Sequence, residues 1–347
     1  MIRHRLFWPL LVLVLLLAVN VAFTPNFLAI RMQDGHLYGS LIDIVRFGAP
    51  LILVALGMTL VIATGGIDLS VGSVVAIGGA LACLFISRQP DQASVRVVLT
   101  AAALALAFAL VLGAWNGLLV ARFGVQPIIA TLILMVAGRG IAQLITGGQI
   151  ITISSPPYKL LGGGYLFTLP FAIMIALAVF GLMAWLARRT ALGLLLESVG
   201  DNAEASRLAG IRSGRLIVMV YMVSALCAAL AGLMISSNVS AADGNNAGLW
   251  IELDAILAVV IGGTALTGGR FYLTGTVLGA LIIQTLSTTI YTTGVPPETT
   301  LVYKALVVMF VCLIQSPSFR AKLFRRRPRP PSDVERQTRA DVEEVAA

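Results

Sequence analysis

The sequence predicts an all-α, polytopic integral membrane protein with about ten transmembrane helices, interrupted at glycine-rich breaks, and with both termini in the cytoplasm. Of its 347 residues, 58% are hydrophobic and only 12% are charged, whereas soluble domains are about half apolar and about one quarter charged. Several apolar runs also approach the ~20 residues that cross a bilayer as one helix. The strict alternation of apolar and polar residues that is typical of membrane β-barrels is absent from the sequence.

The predicted helices follow the apolar runs between polar breaks. The first is expected to be a retained helix and not a cleaved signal peptide, because no small-x-small cleavage site follows it. We predict a membrane domain over residues 1–319 and a charged cytoplasmic tail over 320–347, which has too few apolar residues to fold. The predicted spans are 6–23, 47–64, 70–87, 97–120, 127–145, 170–187, 215–236, 252–264, 274–291 and 300–315.

The distribution of Lys and Arg predicts the orientation, because short cytoplasmic loops are usually basic. With the N-terminus inside, the arginine-rich loop 188–215 is cytoplasmic, and the outer loops 237–250 and 292–300 contain no Lys or Arg. Shifting the count by one span would reverse this arrangement. The basic tail is expected to contact anionic lipid headgroups of the bilayer and no nucleic acid.

Two stretches predict breaks in the helices. Asp68 lies in the apolar run "IATGGIDLSVGSVVA", and a charge at bilayer depth costs roughly 3 kcal/mol unless it is satisfied. The run "VIGGTALTGGRFYLTGT" has the same order of apolar residues, a Gly-Gly pair and a new helix, and paired interruptions of this kind are typical of transporters built from repeats. The alternative is that the glycines only allow close helix packing. The candidate break or gate residues are Gly65, Gly66, Asp68, Ser70, Gly262, Gly263, Gly268 and Gly269.

Asp68 has three possible roles at this break. We favour the first, in which Asp68 or Ser70 caps the free N–H groups of the following helix; the others are contact with a substrate and ion coupling. The other uncommon polar residues inside spans predict a translocation path, although the arginine among them could instead hold carbonyl groups at a helix end. These path candidates are Asn116, Gln126, Thr131, Arg139 and Gln143. With two histidines and three scattered cysteines, the sequence predicts no metal site.

The loop 188–215 is a candidate attachment point for a partner. Asp201 and Glu204 have the spacing of a capping box, Gly210 provides a stop signal, and Ala205, Leu208 and Ala209 form a small apolar face. A helix this short is marginal alone, so we expect it to dock on another subunit; the alternative is a mobile surface loop. The phosphate-binding pattern G-x-x-x-x-G-K-[ST] is absent from the sequence, so ATP hydrolysis is expected on a partner.

The ordered motifs resemble the permease subunits of bacterial ABC sugar importers of the ribose, xylose and arabinose type. "TGGIDLSVG" is similar to the signature of that family, and "NGLLVARFGVQPIIATLILM", "GRGIAQLITGG", "VGDNAEASRLAGI" and "IGGTALTGGR" follow in the family's order. The likeness is strongest to galactofuranose importer permeases. Four positions depart from the family pattern: Asp201, Ser206, Phe271 and Ile128.

The resemblance implies a multi-pass protein of the bacterial inner membrane. It implies a second permease subunit, identical or paralogous, an ABC ATPase that binds ATP and Mg²⁺, and a periplasmic sugar-binding protein that delivers the sugar, with no cofactor on this chain. It also implies that the ATPase binds the stretch "VGDNAEASRLAGI", residues 199–211, here called the coupling segment, with Gly200 and Gly210 as hinges. An ion-coupled secondary carrier, a passive channel and a permease for branched-chain amino acids remain alternatives. The coupling residues implied are Asp201, Asn202, Glu204, Ala205, Leu208 and Gly210.

Overall fold

The computed structural model describes residues 6–23, 26–33 and 35–292, together with residues 302, 304–306, 309 and 313. The chain divides into two units, Met1–Lys304 and Ala305–Ala347. Only isolated residues of the second unit are described, so the account below concerns the first. The predicted tail 320–347 and the domain boundary at residue 319 lie outside the described residues, as do ten of the sixteen residues of the predicted span 300–315.

Helices dominate the described part of the chain, and short strands occur only in the connections. The strands pair antiparallel as β1–β2, β3–β6 and β4–β5. They are β1 Arg31–Gln33, β2 His36–Tyr38, β3 Ile151–Thr152, β4 Tyr165–Leu166, β5 Leu169–Pro170 and β6 Ala241–Ala242. The helices are α1 Phe7–Phe23, α2 Ser40–Ala63, α3 Val71–Ser87, α4 Val95–Ala121, α5 Pro127–Thr146, α6 Pro156–Gly163, α7 Phe171–Arg189, α8 Leu192–Asp201, α9 Ala203–Leu208, α10 Ser213–Val239, α11 Ile251–Ile261 and α12 Leu273–Thr292.

The predicted polytopic, all-α architecture is confirmed. Each predicted span from 6–23 to 274–291 overlaps one of these helices. Six of the described helices, α2, α4, α5, α7, α10 and α12, are long and apolar enough to cross a membrane, and α1 and α3 are shorter apolar helices. The boundary of α2 was predicted too late, since the helix begins at Ser40 and includes Pro50. The total of ten spans and the position of both termini stay predictions.

Helix α10 forms the centre of the bundle, where it packs on α2, α3 and α4 through glycines. A β-carbon at Gly57 of α2 would lie 2.9 Å from the Cα of Ser224, and one at Gly117 of α4 would lie 2.6 Å from the Cα of Val218. Such contacts let helix backbones approach closely in a membrane protein. In contrast, only 28% of the α5 span and 22% of the α7 span are buried, so both helices present apolar faces to lipid or to another subunit.

The first helix packs on the last described one. Asn20 of α1 is buried, and its amide donates hydrogen bonds to the Leu16 carbonyl at 2.8 Å and to the Thr289 hydroxyl of α12 at 2.7 Å. These contacts join α1 to the helix bundle, and its retention in the mature protein stays a prediction.

Candidate functional site

The first Gly-Gly pair ends helix α2. Gly65 has a φ of +79°, a left-handed conformation that a residue without a β-carbon adopts at little cost. Its N–H donates to the Ile62 carbonyl at 2.9 Å, and the N–H of Gly66 donates to the Val61 carbonyl at 3.0 Å. This pair of bonds is a Schellman motif, which satisfies carbonyls at the end of a helix.

The second break has the same construction. Gly263, after the end of α11, has a φ of +89°. Its N–H donates to the Val260 carbonyl at 2.9 Å, and the N–H of Thr264 donates to the Val259 carbonyl at 3.2 Å. Both helices therefore end at the predicted glycine pairs, and the shared sequence order reflects a shared helix-ending motif. Whether the breaks act as gates stays a prediction.

Asp68 lies inside the protein, in the connection between α2 and α3. It is 1% exposed and accepts three hydrogen bonds: from the Ser70 N–H at 3.0 Å, from the Ser70 hydroxyl at 2.6 Å and from the Ser224 hydroxyl at 2.9 Å. The connection thus folds back to contact the middle of α10, since Ser224 is about 16 Å along that helix from its first residue.

The predicted capping role of Asp68 and Ser70 is only partly matched by this geometry. Asp68 binds the N–H of Ser70, which immediately precedes α3, but Ser70 makes no side-chain cap to that helix. Two of the three donors to the carboxylate are serine hydroxyls, and one of them comes from another helix. Asp68 therefore also fastens the break to α10, a tertiary contact that sequence reasoning missed.

Two of the predicted path residues lie beside Asp68. The Asn116 amide donates to the Ser70 hydroxyl at 2.9 Å, and the Thr131 hydroxyl lies 3.2 Å from the Ile67 carbonyl. Within the described part of the chain, the Asn116 Oδ1 atom and the Tyr221 hydroxyl are buried without a hydrogen-bond partner. Unpaired buried polar atoms are costly, so the interior beside Asp68 has unused capacity to bind a polar group.

The other predicted path residues are not brought to this cluster. Gln126 immediately precedes α5 and Gln143 is in its last turn, and both are exposed; about 26 Å of helix separates them. Arg139 is half-buried, and its guanidinium donates to the Ala247 carbonyl at 2.6 Å. This contact corresponds to the structural alternative considered for Arg139, in which it holds a backbone carbonyl.

Glu252 is a second buried carboxylate that sequence reasoning did not select. It lies in the first turn of α11, is 3% exposed, and its Oε2 atom has no hydrogen-bond partner among the described residues. The neighbouring Asp254 pairs with Lys304 at 2.8 Å. From the sequence, Glu252 could have been noticed as an acidic residue at the start of the apolar run of α11. However, no neighbouring residue distinguishes it from Asp254, which lies in the same first turn.

The coupling segment forms the end of helix α8 and all of the short helix α9. The predicted capping residue was wrong by one position: Asp201 ends α8, and Asn202 caps α9 by accepting a hydrogen bond from the Ala205 N–H at 2.9 Å. Glu204 pairs with Arg207 at 2.6 Å, and this contact lowers the pKa of Glu204. Asn202 caps α9 and Asp201 does not, because Asp201 is still the last residue of α8. Asn202 immediately precedes α9, where its side chain can reach the free N–H groups of that helix.

The apolar face of α9 is exposed. Leu208 is 79% exposed, and Ala205 and Ala209 are exposed beside it. Gly210 follows with a φ of +89°, and the N–H of Ile211 donates to the Ser206 carbonyl at 2.9 Å. An exposed apolar face on a capped helix is a suitable docking surface for a partner.

Gly200 does not have the geometry predicted for a hinge. It lies within α8, and a β-carbon there would overlap the carbonyl oxygen of Ala63 at the end of α2. Gly200 is therefore a contact glycine. No cluster of metal-ligating side chains occurs among the residues that the structure describes.

The comparisons with known proteins place these features in a family. Residues 40–312 match the family described as the permease component of the branched-chain amino acid transport system. The chain belongs to this permease family. Its membership and its apolar helices make it a multi-pass protein of the bacterial inner membrane.

Several permeases of sugar importers are similar to this chain along almost their whole length. The galactofuranose transporter permease protein YtfT of Escherichia coli is 49% identical, over 91% of this chain and 93% of the relative. The fructose import permease protein FruF of Bifidobacterium longum is 40% identical, over 94% and 93%. The ribose import permease protein RbsC of E. coli is 35% identical, over 88% and 92%. No solved structure matches the chain.

Proposed function

We propose that this permease subunit belongs to an ATP-driven importer that takes a sugar from the periplasm to the cytoplasm. The observation that carries the proposal is the identity of 49% with a galactofuranose transporter permease over nearly the full length of both chains. Fructose and ribose import permeases are less similar. The proposed substrate is therefore galactofuranose or a related monosaccharide.

The proposed partners are an ABC ATPase, a second permease subunit and a periplasmic sugar-binding protein. ATP and Mg²⁺ bind the ATPase, because the sequence contains no phosphate-binding loop. The ATPase contacts the coupling segment, and the exposed apolar face of α9 with Leu208 at its centre supports this assignment. Sugar selection is assigned to the binding protein.

The translocation path is proposed to pass beside the cluster of Asp68, Asn116 and Thr131. Its buried position and the unpaired oxygen of Asn116 support this assignment. Gln126, just before α5, and Gln143, in its last turn, are exposed. Their assignment to the path requires that α5 lines the contact with the second permease subunit.

The test is uptake into proteoliposomes. The permease is reconstituted alone, with the cognate ATPase, and with the ATPase plus the binding protein, and labelled galactofuranose, galactopyranose, ribose, fructose and leucine are offered in turn. We expect uptake of galactofuranose only with all components and internal ATP. Preferred leucine uptake would favour the amino-acid alternative. Uptake without the ATPase that collapses with a proton uncoupler would favour a secondary carrier, and conductance from the chain alone would favour a channel.

A further inference from the structure

The two helix breaks touch each other directly. The N–H of Gly269 donates a hydrogen bond to the carbonyl of Ala63 at 2.9 Å. Ala63 is the last residue of α2, and the final carbonyls of a helix have no partner within it. One break therefore supplies the hydrogen bond that the other break needs.

The end of α8 is inserted at the same place. A β-carbon at Gly200 would overlap the Ala63 oxygen and lie 2.5 Å from the Gly269 nitrogen. A β-carbon at Gly268 would lie 2.9 Å from both the Gly200 oxygen and the Gly65 nitrogen. Three segments that are far apart in sequence thus meet backbone to backbone. We name this contact the glycine junction, formed by Ala63, Gly65, Gly200, Gly268 and Gly269.

Helix α8 connects the glycine junction firmly to the coupling helix α9. Leu196 and Val199 of α8 are 4% and 2% exposed, and Leu196 belongs to a core cluster with Val61 of α2 and Tyr221 of α10. On the other side, the Ser206 hydroxyl of α9 donates to the Ser198 carbonyl of α8 at 2.9 Å. Close-packed interiors are poorly compressible and transmit displacement, so a force on α9 reaches the junction with little loss.

We propose that the glycine junction transmits movement of the coupling segment to both helix breaks at once, with Gly200 as the positioning residue. The proposal rests on the proposed function, because it assumes that an ATPase moves α9. No side chain separates the three backbones at Gly200, and a hydrogen bond joins the two breaks. The breaks therefore move as one unit, and a single displacement changes the ends of α2 and α11 together.

The first experiment compares Gly200→Ala with Gly181→Ala. A β-carbon at Gly181, within helix α7, would meet no atom within 4 Å, so this variant makes the same chemical change in a helix without overlap. The measurement is the number of sugar molecules imported per ATP hydrolysed in response to the binding protein, in proteoliposomes that contain the ATPase. We expect this ratio to fall at least about fivefold in Gly200→Ala and to stay at the wild-type value in Gly181→Ala.

The ratio of sugar imported to ATP hydrolysed distinguishes a loss of coupling from a loss of permease stability. A permease that is only less stable reduces import and coupled hydrolysis in proportion and leaves the ratio unchanged. An unchanged ratio in Gly200→Ala, with normal import by the wild type, overturns the role of the glycine junction alone. Failure of the wild-type complex to import sugar with ATP overturns the proposed function instead.

A second experiment uses the wild-type complex and does not depend on the folding of a variant. Hydrogen exchange is compared before and after a non-hydrolysable ATP analogue binds the ATPase, in peptides that cover 62–67 and 266–271. If the breaks are one unit, exchange changes in both peptides together. A change in only one of them, or in neither, contradicts the proposal.

Discussion

The burial of Asp68 leads to a quantitative prediction. The carboxylate is 1% exposed and accepts three hydrogen bonds. Asp68→Ala leaves the donors of Ser70 and Ser224 buried without a partner, and each unsatisfied donor costs about 1–3 kcal/mol. We expect a loss of about 5 kcal/mol in the free energy of unfolding, which is comparable to the whole stability of many domains. Little of this variant should assemble in the membrane.

Asp68→Asn is the matched comparison. Its Oδ1 can still accept from Ser70, and its amide can donate to the Ser224 hydroxyl, so the loss is that of the charge, about 1–2 kcal/mol. The assays are the thermal midpoint of the purified permease and sugar uptake per assembled complex. We expect Asp68→Asn to assemble and to keep at least about one third of wild-type uptake. Normal assembly of Asp68→Asn with complete loss of uptake would refute the structural role and favour a function that needs the charge.

Three further predictions concern docking, capping and packing. Leu208→Asp should abolish stimulation of the ATPase by the binding protein while the permease remains in the membrane, whereas Leu208→Met should not; unchanged transport by Leu208→Asp would contradict docking at this face. Asn202→Ala removes the cap on the Ala205 N–H and should destabilise α9 by about 1 kcal/mol, lowering import measurably while Asn202→Ser restores it. Gly232→Ala places a β-carbon against the backbone of α3 and should lower the thermal midpoint, whereas Gly140→Ala, which meets open space, should not; equal midpoints would contradict the close packing of α3 on α10.

The helices could be predicted because a bilayer permits few alternatives. A chain within lipid must satisfy its backbone internally, so each long apolar run becomes a helix. The Gly-Gly pairs were equally informative, since a left-handed residue at Gly65 or Gly263 ends a helix by local hydrogen bonds. These features depend on residues within about one turn of each other, and such features can be inferred from the sequence.

The contacts between distant segments could not be predicted in this way. Ser224 binds Asp68 from 156 residues away, and nothing in the run "VSALCAAL" indicates which of its faces meets the break. Gly200 was expected to be a hinge, because glycine gives the backbone extra freedom. Glycine also allows two backbones to approach closely, and only the position of Ala63 against Gly200 shows that close approach is its role here. The capping residue of α9 was predicted one position too early. Asp and Asn are both good capping residues, and the exact residue at which α8 ends, which sequence reasoning does not fix, decides which of Asp201 and Asn202 caps α9.

The position of α10 explains why a buried carboxylate is useful at the first break. Gly57, before the break, packs on the backbone of Ser224, and Asp68, after the break, binds its hydroxyl. The break thus returns the chain to the same point on α10. Because α10 begins at Ser213, directly after the coupling segment, the first break is connected to that segment both through α10 and through the glycine junction. The Asp68 carboxylate accepts from Ser70 on its own loop and from Ser224 on α10, so it holds the loop on α10. It does so with a small side chain, whereas a larger apolar side chain would add bulk beside the close contact of Gly57 with α10.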